Sequence, residues 1–64
     1  METMQERATV YAAYAELEVA AEAFYAAADK LGKLVPETQL TLASVCEDVN
    51  FAVVYVDQEL DEVL

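Results

Sequence analysis

Leu31-Gly32-Lys33-Leu34-Val35-Pro36 contains the only glycine and the only proline of the 64-residue chain, four positions apart. A glycine that ends one helix followed by a proline that begins the next is the pattern of a helical hairpin. Gly32 suits the left-handed position after a helix end. Lys30 and Lys33 complement the negative end of the first helix dipole, and Pro36 with Glu37 suits the first turn of the second. The spacing predicts helices over about residues 3–31 and 36–63 in a single domain spanning 1–64. No Ser, Thr, Asp or Asn precedes Pro36, so the second helix begins without a strong cap.

Upstream of this break the chain is rich in alanine, the residue with the lowest helical free energy. Val10, Leu17, Phe24 and Leu31 recur every seven residues, and Ala13, Ala20 and Ala27 recur beside them. This alternation of large and small residues predicts a packing seam. Downstream, at 100° per residue, Leu42, Val45, Cys46, Val49, Ala52, Val53, Val56, Leu60 and Val63 fall within an arc of about 120°. The segment Asn50–Asp57 has β-branched and aromatic residues that also suit a strand. A lone strand would have no partner, however, and the helical period passes through it without interruption.

A chain of about 60 residues hides only about 60% of its unfolded surface and is marginal as a monomer. Here 58% of residues are hydrophobic, above the usual ~45–50%. The expected architecture is therefore all-α, a two-helix hairpin assembling into a homodimeric four-helix bundle or a larger helical oligomer. Apolar residues outside the main stripes support this. Leu40, Phe51, Val54 and Tyr55 lie off the arc of the second helix, interspersed with Glu47 and Gln58. On the first helix, Tyr11, Tyr14 and Tyr25 project near Glu18, with Glu22 and Asp29 at the border.

The chemical inventory is short. With no histidine and one cysteine, Cys46, the chain lacks the usual metal ligands, any intrachain disulfide and a base to activate Ser44 or the threonines. One glycine excludes phosphate-loop and dinucleotide fingerprints. Glu18 with Glu22, or Glu47 and Asp48 with Asp57, are the carboxylate pairs to weigh for Mg²⁺. Three basic residues leave too little to hold a phosphorylated substrate beside them. No catalytic residue, metal or cofactor is expected, and Cys46, inside the apolar arc, reads as a small buried hydrophobe.

Thirteen acids against three bases set a net charge of −10, the wrong sign for direct nucleic-acid binding and for anionic lipid. The longest apolar run, Phe51 to Val56, is far short of the ~20 residues of a membrane span. No secretory signal is evident, so the expected compartment is the cytoplasm, that of the host if the source is viral. The expected partners are a second copy and another protein with a basic surface. Glu2, Glu6 and Glu16 with Glu47, Asp48, Asp57, Asp61 and Glu62 are rows of acids able to occupy phosphate positions in a basic cleft. Such a protein would inhibit a nucleic-acid-binding protein by competition, as small viral anti-defence proteins do. The simplest alternative use of these acids is to keep a greasy bundle soluble.

The candidate partner-binding residues are Tyr11, Tyr14, Glu18, Glu22, Tyr25, Glu47, Asp48, Phe51, Tyr55 and Asp57. Tyrosine supplies large contact area at low entropic cost, which suits either a recognition surface or a subunit interface. Two other roles fit the same residues: a structural or regulatory oligomer docking a partner through its apolar and tyrosine faces, or a sponge binding a small ligand between subunits. Replacing Val49 or Val53 by aspartate is expected to abolish helicity and assembly together. Circular dichroism and gel filtration check this, and a folded oligomeric mutant would overturn the core assignment.

Overall fold

The computed structural model describes residues 4–64, and side chains from residue 5 onward. The expected helix start at residue 3 and the acid Glu2 lie outside the described residues. Helix α1 spans Met4–Leu34 and helix α2 spans Gln39–Val63, joined through Val35 and a single 3₁₀ turn, Pro36–Thr38. Among the described residues there is no strand, and Asn50–Asp57 is helical throughout. The two helices lie against each other as a hairpin.

Helix α1 ends later than expected, and glycine is not what ends it. Gly32 lies inside the helix, and among the described residues no glycine has a positive φ. The stop falls at Val35, whose φ of −129° and ψ of 84° leave the helical region. The proline ring of Pro36 excludes the helical conformation from the residue before it, which is why the chain turns there. The Val35 amide still donates to the Leu31 carbonyl at 2.8 Å. The Thr38 amide and hydroxyl then both donate to the Val35 carbonyl, at 2.9 and 2.7 Å. No side chain caps the start of α2.

What Gly32 does supply is close approach. A Cβ placed on it would lie 3.3 Å from Gln39 Cγ and 3.8 Å from Leu42 Cδ1. Gln39 uses the gap to donate from Nε2 to the Gly32 carbonyl at 3.1 Å, satisfying an acceptor near the end of α1. The ion pair between Lys33 and Asp29, one turn apart at 2.9 Å, is well exposed. Pairs of this kind contribute only about 0.3–0.5 kcal/mol.

The line of contact on α1 differs from the expected seam. Ala21 and Ala28 are buried, at 6% and 8% exposure, together with Gly32, while Val10, Tyr14 and Tyr25 are half-buried on the same stripe. Ala13, Ala20 and Ala27, the small residues of the expected seam, are all exposed. Their large companions Leu17, Phe24 and Leu31 remain 42%, 38% and 46% exposed. Small side chains let the helix axes come together, so the Ala21/Ala28/Gly32 row takes the intrachain contact and the larger row is left beside it. On α2 the half-buried residues are Leu42, Cys46, Val49, Val53, Val56 and Leu60. They form the centre of the expected arc, and its edge, Val45, Ala52 and Val63, is exposed.

The result is a thin plate. Its Cα extents are 50 × 17 × 8 Å and its radius of gyration is 15.3 Å, against about 11 Å for a compact domain of this length. No large side chain among the described residues is fully buried.

Substitution at Gly32 separates close approach from backbone freedom. Gly32→Ala sets a Cβ 3.3 Å from Gln39 Cγ, so Gln39 must give by a few tenths of an ångström. The gain in helix propensity opposes that cost, and stability is expected to stay within about 1 kcal/mol of the wild type. Gly32→Leu is expected to wedge the helices apart and lose about 1–3 kcal/mol. Thermal melts followed by circular dichroism distinguish the two, since 1 kcal/mol moves Tm by about 4–8 °C in a domain this small.

Candidate functional site

Helical spacing and the contact stripe together decide which acids share a surface. Glu18, Glu22 and Asp29 flank one side of the Ala21/Ala28 stripe on α1, and Asn50, Asp57 and Asp61 flank the corresponding side of α2. The two rows meet across the helix junction on one broad side of the plate. There, Glu18, Glu22 and Tyr25 from α1 and Asn50 and Val53 from α2 line a recess of about 180 Å³.

Tyr14 lies in this surface. Its hydroxyl donates a long hydrogen bond, 3.5 Å, to the Val53 carbonyl. Partial burial, followed by the negative charges of Asp57, Glu18 and Asp61, holds the Tyr14 phenol above its ordinary value of 10.0. Both causes disfavour the phenolate, one by withholding water and the other by like-charge repulsion.

Nearer the turn, an open groove of about 300 Å³ runs along the same side. Its floor is Tyr25, Ala28, Gly32, Leu42, Ala43 and Cys46, and its rim is Asp29, Lys33 and Gln39. The groove exists because alanine and glycine leave room where larger side chains would meet. Its volume is at the lower limit for small-molecule sites, ~300–1,000 Å³. Cys46 is a free, half-buried thiol in its floor.

The candidate residues thus divide into three sets. Tyr14, Glu18, Glu22, Tyr25 and Asp57 come together across the junction, with Tyr11 exposed at their margin. Phe51 and Tyr55 lie on the outer surface of α2, stacked with ring centroids 6.4 Å apart and 27° between planes. Glu47 and Asp48 are both exposed, but by helical spacing they fall on opposite flanks of α2, so Asp48 stands away from the carboxylate surface. Asn50 and Gln39 join the site although neither is charged or aromatic. Their spacing of three or four residues from Cys46, Val53 and Leu42 is the signal that locates them.

Among the described residues, no group of three or more Asp, Glu, Cys or His side chains is arranged to hold a metal ion. Among the same residues, no helix is long and apolar enough to cross a membrane. The chain matches no protein-family model, no curated protein and no solved structure.

The raised Tyr14 value fixes a pH dependence. The folded state holds this proton more tightly than the unfolded chain, so the stabilising contribution is complete below about pH 10 and is lost as pH rises from there through the folded value. An alkaline titration followed by tyrosinate absorbance is expected to show a component above pH 10 that disappears in Tyr14→Phe and moves down in Asp57→Asn. An unchanged titration in both variants would contradict the assignment.

Proposed function

We propose that the protein is a non-enzymatic acidic binding module that presents its carboxylate side to a basic surface on another protein. The carrying observation is segregation: Glu18, Glu22, Asp57 and Asp61 gather with Tyr14 on one broad side. On the other broad side α1 carries no charge between its edges from Thr9 to Leu34, while α2 carries Asp48 and Glu59. Charges placed only for solubility have no reason to be sorted in this way along α1.

Magnitudes favour a helical bundle over a single hairpin for this role. A net charge of −10 along 50 Å is about one charge per 5 Å, whereas duplex DNA carries one per ~1.7 Å and a single strand one per ~3.4 Å. Two copies side by side reach about one per 2.5 Å, between the two nucleic acids. The proposed active form is accordingly a homodimeric four-helix bundle in the cytoplasm that competes with nucleic acid for a basic cleft. This is the mode of action of small viral anti-defence proteins.

A second reading has its own observation. The stacked pair Phe51 and Tyr55 is 47% and 59% exposed, with Leu40 and Val54 also exposed on α2. An apolar patch with two aromatic anchors suits docking of a structural or regulatory partner.

Salt separates the two. The screening length falls from ~10 Å at 0.1 M to ~3 Å at 1 M. Capture from lysate on the immobilised protein, followed by displacement of labelled duplex DNA from the captured species, is the test. The expected result is a basic nucleic-acid-binding protein released by about 1 M salt and bound at least about tenfold more weakly by the variant Glu18→Gln/Glu22→Gln/Asp57→Asn/Asp61→Asn. A salt-resistant catch, lost instead in Phe51→Ser/Tyr55→Ser, would establish the apolar reading.

A further inference from the structure

We infer that the broad side of the hairpin on which Leu17, Phe24 and Leu31 of α1 lie beside Val45 and Ala52 of α2, opposite the carboxylates around Tyr14, is the surface covered by a second copy of this chain. The inference rests on the bundle reading above and deepens it by naming the interface.

The position of that side follows from the stripe. Glu22 and Asp29 flank one edge of Ala21/Ala28, so Leu17, Phe24 and Leu31 flank the other. On α2, Gln39, Ala43 and Asn50 lie on the carboxylate side, which places Val45, Ala52 and Val63 on the opposite side, with the exposed acids Asp48 and Glu59 on the outer flank beside them. The antiparallel run of the two helices brings both apolar rows onto one surface. Ala13, Ala20 and Ala27, exposed between the large residues of α1, leave shallow hollows in it.

Surface area identifies the occupant. The hairpin exposes 5120 Å², whereas a folded monomer of its mass exposes about 4,000 Å². The excess is about 1,100 Å² per chain, and pairing two copies through it would bury about 2,200 Å², within the ~2,000–5,000 Å² of obligate homodimers. The plate itself, 50 × 17 Å, presents roughly the ~800 Å² per partner of a stable interface before side chains extend it. A self-complementary surface of alternating large and small residues meets the requirement that a two-fold contact match itself. The carboxylates around Tyr14 then face outward in both copies, and keeping Asp48 and Glu59 of α2 in water puts the α1 rows at the centre of the pairing and those two acids at its rim.

Two alanine substitutions provide a matched test. Ala20 lies on the side proposed to be covered, beside Leu17 and Phe24, and Ala12 lies on the edge of α1 farthest from α2. Both are exposed, and each is four residues from Glu16. Ala20→Glu and Ala12→Glu therefore add the same charge, propensity and neighbour repulsion. Sedimentation equilibrium is expected to show a dimer for the wild-type chain and for Ala12→Glu, with the dissociation constant of Ala20→Glu raised at least about 100-fold.

Because Ala20→Glu could also lose its fold, broadening by a soluble paramagnetic agent is measured on wild-type protein. The methyl groups of Leu17, Leu31 and Val45 are expected to be protected relative to those of Leu40 and Val54. A dimer in which both substitutions act alike and these methyls are unprotected would overturn the interface and leave the bundle standing. A folded wild-type monomer would overturn both, as would a foreign helix as the only occupant of this side.

Discussion

On the α1 side the contact between the two helices is centred on alanine and glycine, and much else about the molecule follows from how little that contact hides. Ala21, Ala28 and Gly32 permit close approach, but they carry few methylene groups into the interior. At ~25 cal/mol per Å² of apolar surface removed from water, such a junction offsets only part of the ordering cost of two long helices. The large side chains that would normally supply the remainder, Leu17, Phe24, Leu31 and Val45, stand beside the junction and are still exposed. The hairpin is therefore a half-built structure in energetic terms, with its remaining hydrophobic stabilisation still available to association.

The same geometry sorts charge from grease. Because the junction is a narrow stripe, each helix has two flanks, and the antiparallel turn sets the acidic flank of α1 beside Asp57 and Asp61 of α2 and its apolar flank beside Val45 and Ala52. Acids collect around Tyr14 and Tyr25, and on the reverse side α1 is uncharged from Thr9 to Leu34 while α2 sets Asp48 and Glu59 beside Val45 and Ala52. Tyr14 registers this sorting chemically, since three carboxylates act on one partly buried phenol. The proposed self-association and the proposed recognition of a basic partner would therefore use different residues.

Much of the architecture was legible in the residues themselves. Pro36 marks the turn, and the apolar arc of α2 names the residues that meet α1. Two features were not legible, for one physical reason: periodicity says which residues share a face, not which face meets which neighbour. Helix α1 carries two adjacent heptad rows, Leu17/Phe24/Leu31 and Ala21/Ala28, and only the packed structure reveals that the smaller row takes the intrachain contact. Gly32 misled similarly, because its absent side chain serves helix approach and the stop belongs to the steric demand of Pro36 on Val35. At the candidate site, Tyr14, Glu18, Glu22, Tyr25 and Asp57 come together as their spacing suggests, whereas Asp48 is separated from Glu47 by the 100° step between consecutive helical residues.

The connection from Val35 to Thr38 also gives the hairpin a direction. Residues on either side of the turn are neighbours in the chain and meet at almost no loop-closing entropy, whereas Arg7 and Leu64, bonded at 2.9 Å, are 57 positions apart. Pairing is thus cheapest at the proline end and grows more demanding toward the open end, so the two helices close and open like a zipper with one fixed stop. Tyr14 and Val53 lie well toward the open end, and the acidic surface around them is set on the part of the zipper that parts sooner. The groove beside Gly32 sits at the stop.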